Sequence, residues 1–151
     1  MQSNDANMVP LSLRLGVSVH AMIQDLHQRV LLLQRAPEAK MYRKYWEFPG
    51  GKLDGGEPVT DGLQREVLQE SGLRISVGEL LDFVESFVRD VHVIHLIFRA
   101  SPHNTDIILS NEHCAYEWVC VDEVKERALT PYVSAFCRKT RFCEIQPTFD
   151  R

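Results

Sequence analysis

The sequence of 151 residues contains no apolar run close to the roughly 20 residues that cross a lipid bilayer. Its start, Met1–Asn7, is polar and lacks the basic residues and apolar centre of a secretory signal. Repeats, low-complexity tracts and linker-like stretches are also lacking. We therefore expect a cytoplasmic protein with no membrane partner, folded as a single domain over residues 1–151, with residues 1–10 and 144–151 as peripheral tails.

Neither a basic excess nor a closely spaced cysteine pair is present. Acidic residues number 21 and basic residues 17, whereas proteins that bind nucleic-acid polymers usually present a basic stripe, so no such polymer is expected as a partner. The cysteines lack the Cys-x-x-Cys spacing of common zinc sites. This favours free, mostly buried thiols over structural zinc or an essential disulfide at Cys114, Cys120, Cys137 and Cys143.

Several segments have the patterns of β-strands. Alternating apolar and polar residues predict a strand with one buried face over Leu11–Ile23, followed by an apolar strand over Val30–Leu33, so the two form a hairpin or a closely connected pair. Residues rich in β-branched and aromatic side chains predict further strands over Leu73–Val88, Val91–Ala100 and Tyr116–Val121.

Two segments have the patterns of helices. One begins near Glu57 or Pro58 and ends at Ser71, because proline suits a first turn and Gly72 a left-handed stop. The other runs from Thr130-Pro131 to about Phe142. Strands and helices in this mixed order predict an α/β sandwich, with a mixed sheet packed between helices.

The most informative segment runs from Gly51 to Leu73 and reads GKLDGGEPVTDGLQREVLQESGL. It resembles the Nudix box, the signature of the Nudix hydrolases, in which a glycine, a glutamate, an Arg-Glu pair, two adjacent glutamates and a second glycine recur at fixed spacing. Gln69 is the one departure, because the family usually has the first of the adjacent glutamates there. The resemblance implies a Nudix-type α/β/α sandwich.

Helix geometry gives the same segment a chemical interpretation. Residues four apart on a helix differ by about 40° around the axis and about 6 Å along it, so Glu66 and Glu70 project from one face. A divalent cation between the two carboxylates offsets their repulsion, and their hard oxygen ligands suit Mg²⁺, with Mn²⁺ as a substitute. Taken alone, such a glutamate pair is more often a solvated helix face, and it is its place inside the whole Nudix-like signature, after a glycine-rich loop, that favours metal binding.

The resemblance also implies roles for individual residues. The metal ligands are Glu66, Glu70, the loop residue Glu112 and the Gly50 carbonyl. The catalytic residues are these three glutamates together with Arg65, which orients the carboxylates. Structural roles in the box fall to Glu57, Gly72 and Gln69, whose neutral amide weakens metal binding.

The segment Trp46–Lys52, which contains WEFPGGK, resembles the approach to the box in MutT-like members, a branch that hydrolyses nucleoside triphosphates. By that resemblance Arg35 contacts substrate phosphates or base, and Gly50 and Gly51 allow close approach of the backbone. Five aromatic residues are candidates to stack on a base, although most aromatic side chains are core: Tyr42, Tyr45, Phe83, Phe87 and Tyr132. Three strand histidines are expected to be packed or hydrogen-bonded rather than catalytic: His20, His92 and His95.

The function implied is Mg²⁺-dependent hydrolysis of a nucleoside triphosphate, including oxidised ones such as 8-oxo-dGTP, to monophosphate and pyrophosphate. Some sugar-nucleotide hydrolases have a proline beyond the box where this chain has Phe87-Val88-Arg89, which favours the triphosphate branch. Alternatives are hydrolysis of dinucleoside polyphosphates or ADP-ribose, non-catalytic nucleotide sensing, suggested by Gln69, and a zinc scaffold. The expected partner is a small-molecule nucleotide, and a homodimer is left open.

Overall fold

The structure is a computed structural model that describes residues 14–142. The predicted tails, Cys143 and the first three residues of the strand predicted from Leu11 lie outside the described residues. The described elements are β1 (Arg14–Ile23), β2 (Val30–Arg35), β3 (Trp46–Glu47), β4 (Gly50–Lys52), α1 (Val59–Ser71), β5 (Ile75–Val88), β6 (Val91–Pro102), β7 (His113–Val119), a 3-10 helix (Val121–Glu126) and α2 (Pro131–Thr140).

The strands form two sheets. A four-stranded sheet has the order β4-β1-β6-β5 and a three-stranded sheet the order β3-β2-β7. The first is mixed, because β1 and β6 run parallel while its other pairs are antiparallel. The predicted mixed α/β fold is therefore confirmed.

Helices α1 and α2 are packed against opposite sides of the strands. In β2, Leu31 and Leu33 join the cluster that contains Leu63 and Val67 of α1. Val30 and Leu32 join the other cluster, which contains Phe136 of α2. Successive strand residues point to opposite faces, so a strand covered on both sides is a continuous apolar run.

The pair β1 and β2 is closely connected but is not a regular hairpin. A turn closed by the Asp25 backbone N–H and the Arg29 carbonyl joins them, and a single bridge links Gln24 to Val30. The strands then separate into different sheets. The prediction of one buried face is wrong at the end of β1. Its last five residues, 19–23, are all buried, because other parts of the protein cover both faces of the strand there.

Helix α1 matches its prediction closely. It starts one residue later than expected, with Pro58 at the N-cap, and ends at Gly72, whose φ of 73° is left-handed. The β5–β6 hairpin is also as predicted, and its turn contains Arg89 with a φ of 55°. The short strands β3 and β4 were missed, because two or three residues around Pro49 are too few to show a period.

The described cysteines are free thiols, but the expected burial is wrong for Cys114 and Cys120, which are exposed, while Cys137 is half-buried. Across residues 14–142 no helix is both long and apolar enough to span a membrane.

Candidate active site

A cavity of about 470 Å³ brings together residues from both sheets, α1 and the start of α2. Strand β4 places Gly50 and Gly51 beside β1. The acidic face of α1 lies next to these glycines, where Glu70 binds the Gly50 backbone N–H. Six of the residues predicted for the site line this cavity: Arg35, Gly50, Gly51, Glu66, Glu70 and Glu112.

Glu70 is a buried carboxylate of the cavity, with only 6% of its surface exposed. Its Oε2 accepts a hydrogen bond of 3.0 Å from the Gly50 backbone N–H. Burial, together with the neighbouring carboxylates of Glu47, Glu66 and Glu112, raises the pKa of Glu70 to about 9, against the lowering effect of the Gly50 bond. The protein thus gathers negative charge around a side chain that it shields from water.

This donor set fits a divalent cation. One ligand atom each from Glu70, Glu112 and His113 lies within 4.8 Å of the others. Carboxylate oxygens are the ligands preferred by hard cations, and a bound cation offsets the repulsion that raises the pKa of Glu70. His113 was not predicted, since a histidine at the start of a strand carries no pattern of its own.

Arg65 lies outside the cavity lining and binds two glutamates of the box, Glu57 and Glu66. Its Nε and Nη2 donate to the two carboxylate oxygens of Glu57 at 2.7 and 3.0 Å, and its Nη1 donates to Glu66 at 3.0 Å. The hydrogen bond from Arg65 lowers the pKa of Glu57, and the same bond raises that of Arg65. The arrangement suits orientation of Glu66 by Arg65 and fixation of the loop by Glu57.

Gln69 is exposed and lies outside the cavity lining. Its Oε1 accepts a hydrogen bond of 3.3 Å from Nη1 of Arg65. The departure from the usual box therefore leaves the carboxylates of Glu66, Glu70 and Glu112 in the cavity.

The two loop glycines permit close packing in different ways. A Cβ on Gly50, whose φ is 149°, would lie 2.1 Å from the Val19 carbonyl oxygen. A Cβ on Gly51 would lie 2.6 Å from Oε2 of Glu66. Gly50 is thus required by the sheet, whereas Gly51 makes room for a carboxylate of the site.

Arg35 enters the cavity from the end of β2. Its Nη1 donates to Oε1 of Glu47 at 3.0 Å, and its Nε donates to the Met41 carbonyl at 3.0 Å. Oε1 of Glu47 also lies 2.9 Å from Nε2 of the buried His113. Glu47 was not predicted as a site residue, although it lies inside the WEFPGGK segment.

Comparison with known proteins identifies the family. A family model described as the NUDIX domain matches residues 14–137. The chain belongs to the NUDIX domain family. It is 33% identical over 131 residues to a MutT-like protein of Streptomyces ambofaciens, with 87% of this chain and 79% of the relative covered.

Two further proteins support this assignment. A CTP pyrophosphohydrolase of Escherichia coli (strain K12) is 32% identical over 117 residues, covering 76% of this chain and 84% of that protein. The crystal structure of a MutT protein from Methanosarcina mazei Go1 superposes with a TM-score of 0.79 at 27% identity, covering 88% of this chain and 97% of that chain. The predictions of a MutT-like Nudix protein and of a hydrolase acting on pyrophosphate bonds of nucleotides are confirmed.

Nudix hydrolases generally use a divalent metal ion, and the acidic cluster is the candidate site for it in this chain.

Another part of the cavity lining is uncharged and aromatic. Nε2 of His20 lies 3.1 Å from Nδ1 of His95, whose Nε2 lies 2.8 Å from the Ser86 hydroxyl. The Tyr132 ring stacks on both imidazoles, at 4.0 and 4.9 Å between centroids. Burial lowers the pKa of His95 to about 4 and lowers that of His20 as well, so both are neutral at pH 7.

The remaining aromatic and histidine predictions divide between cavity and surface. Tyr42 and Tyr132 line the cavity, whereas Tyr45, Phe83 and Phe87 do not. Phe83 packs under the Lys139 ammonium, with 3.9 Å from Nζ to the ring centroid. His92 stacks on Phe87, so all three strand histidines are packed or hydrogen-bonded as expected.

Proposed function

We propose that this Nudix hydrolase cleaves nucleoside triphosphates, including oxidised ones, to a monophosphate and pyrophosphate with the help of Mg²⁺. The observation that carries the proposal is one cavity that is lined by four carboxylates and Arg35 and also by the neutral rings of His20, His95 and Tyr132. Such a cavity matches a ligand with an anionic end and a flat, neutral end.

The residues that would hold the metal are Glu66, Glu70 and Glu112, together with the Gly50 carbonyl. When bound, the ion neutralises phosphate charge and lowers the pKa of a bound water. The exposure of Glu112 on a loop at the cavity supports a second role for it, as the base that would accept a proton from the attacking water. Arg35 supplies a fixed positive charge for a phosphate oxygen.

Support for a triphosphate, rather than a dinucleotide, comes from a relative. A cavity of about 470 Å³ is in the range that encloses one small ligand. One relative carries the name CTP pyrophosphohydrolase. We further propose a single Nudix domain, since every described element belongs to the two sheets or the helices on them. The cytoplasmic location stays a prediction.

The test is a panel of nucleoside triphosphates, 8-oxo-dGTP, dinucleoside polyphosphates and ADP-ribose, assayed with Mg²⁺ and with Mn²⁺ and resolved by ion-exchange chromatography. Hydrolysis of a triphosphate to monophosphate and pyrophosphate is expected, and preferential cleavage of a dinucleotide or ADP-ribose would contradict the proposal. Light scattering on the same sample determines whether the protein is a homodimer.

Glu70→Gln is the matched variant for this panel. We expect it to reduce the rate roughly 10²–10⁴-fold, since it removes a charge that is required at the metal. Glu117→Gln is the control, because Glu117 pairs with Arg127 away from the cavity lining. Unchanged turnover by Glu70→Gln would refute the role of Glu70.

A further inference from the structure

We propose that Glu47 is a positioning residue: its carboxylate, held by His113, fixes the Arg35 guanidinium in the cavity and thereby sets substrate affinity. The inference rests on the proposed function, in which Arg35 binds a substrate phosphate. It assigns a purpose to two residues, Glu47 and His113, that the proposed reaction does not use directly.

The three-stranded sheet brings the three side chains together across its central strand. Strand β2 lies between β3 and β7. Leu33 of β2 is opposite Glu47, and Arg35 is opposite His113, with an irregularity in register just before Arg35. Glu47 and His113 thus come from the two strands that flank β2, and their side chains meet beside Arg35.

One oxygen of Glu47 connects the group. Oε1 lies 3.0 Å from Nη1 of Arg35 and 2.9 Å from Nε2 of His113. Exposure of the side chains falls from 29% at Arg35 to 12% at Glu47 and 2% at His113. The exposed end is therefore the guanidinium that lines the cavity, and the buried end is the imidazole that anchors it.

Arg35 keeps donors available while it is held. A guanidinium has five N–H donors, and the bonds to Glu47 and to the Met41 carbonyl engage Nη1 and Nε. An arginine side chain otherwise has large rotamer freedom, which is lost when it binds a phosphate. Holding it beforehand removes that loss from the binding step.

The bond to Glu47 also gives Arg35 a carboxylate partner that is not one of the proposed metal ligands. Glu66, Glu70 and Glu112 line the same cavity, and a free guanidinium would pair with them and compete with a metal ion. The segment after Arg35 is tied to the same region, since the Ala36 N–H donates to the Glu112 carbonyl at 2.9 Å. Loss of Glu47 therefore disturbs Arg35 first.

The kinetic test compares Glu47→Gln with the control Glu117→Gln on the nucleoside triphosphate that the wild-type protein hydrolyses fastest. We expect KM to rise about tenfold in Glu47→Gln, with kcat within about twofold of wild type, because a charge-assisted bond becomes a neutral one. Glu117→Gln removes the same charge from a surface pair and should leave both constants unchanged.

The role of His113 is tested by rescue. His113→Leu should raise KM like Glu47→Gln, while His113→Gln, which keeps a donor, should lie closer to wild type. A fall in kcat with unchanged KM in Glu47→Gln would overturn the inference. Weaker Mn²⁺ binding by His113→Leu, measured by electron paramagnetic resonance, would also overturn it, since it would place His113 among the metal ligands with Glu70 and Glu112.

A second readout does not depend on activity. In ¹⁵N-¹H spectra the Nη1–H signals of Arg35, assigned with Arg35→Lys, should be protected in wild type and exchange-broadened in Glu47→Gln, because Nη1 is the nitrogen that donates to Glu47. The Nε–H of Arg127, 3.0 Å from Glu117, should show the opposite dependence and broaden only in Glu117→Gln. If the wild type hydrolyses no triphosphate, the proposed function fails, and an unchanged Arg35 signal in Glu47→Gln would separately refute the positioning role.

Discussion

Substitution of Gly51 by alanine separates the chemistry of the site from the stability of the fold. The added Cβ would lie 2.6 Å from Oε2 of Glu66 and 2.7 Å from its Cδ. Ordinary contact begins at 3.4 Å, so the carboxylate has to retreat by about 0.8 Å, the difference between 3.4 and 2.6. This carboxylate is the flexible end of the half-buried Glu66 side chain, so it can move while helix α1 stays in place.

The expected result is a large loss of activity with little loss of stability. A misplacement of about 1 Å at a catalytic group costs roughly 10²-fold in rate, so we expect kcat/KM to fall about 10²-fold in Gly51→Ala. The melting temperature should stay within about 4 °C of wild type, which corresponds to roughly 1 kcal/mol for a chain of this size.

Two neighbouring glycines serve as controls for this prediction. Gly55→Ala places its Cβ in open space, with nothing within 4 Å, and should change neither activity nor stability appreciably. Gly50→Ala meets the Val19 carbonyl at 2.1 Å from a backbone φ of 149° and should unfold at a clearly lower temperature. Full activity of Gly51→Ala by steady-state kinetics would refute the placement of Glu66 at the reacting centre.

Three further predictions concern other parts of the molecule. Gln69→Glu should lower the Mg²⁺ concentration that gives half-maximal activity, because it adds a negative charge next to Glu70 on the same helix; an unchanged Mg²⁺ requirement would contradict this. Cys137, whose pKa burial raises to about 11, should react with iodoacetamide more slowly at pH 8 than the exposed Cys114, as measured by peptide mass spectrometry, and equal rates would contradict that burial. The hydrogen bond from Lys139 lowers the pKa of Asp82, so this pair stabilises the fold above the ordinary carboxyl pKa, and the stabilisation is lost as pH falls through the lowered value. When the free energy of unfolding is measured against pH, Asp82→Asn should reduce the loss of stability at acidic pH. An unchanged loss would exclude the pair as its source.

Local features of the fold were predictable because their causes are local. The stripe of Leu63 and Val67, with Gly72 beyond it, defines α1 without reference to the rest of the chain. The long strands β5 and β6 are joined by a turn of two residues, so their pairing also needs no distant contact. Strand β1 was predicted less well, because burial of its two faces depends on layers contributed by distant segments.

The residues of the site also divide into those that a local pattern predicts and those that depend on distant segments. Glu66 and Glu70 could be placed together from helix geometry alone. Arg35 and Glu112 were assigned only by resemblance, since the distance between them depends on how β2 and β7 pair. No pattern in the sequence singles out Glu47, because β3 has only two residues and shows no alternation.

The sequence by itself therefore determined the family and the pair of carboxylates on one turn of a helix, because spacing along a helix fixes direction. Tertiary structure alone decided which of these carboxylates is buried, how Gln69 turns to Arg65, and that Glu47 and His113 stand behind Arg35. Burial and contact between strands depend on packing among segments far apart in the chain, which no local pattern specifies.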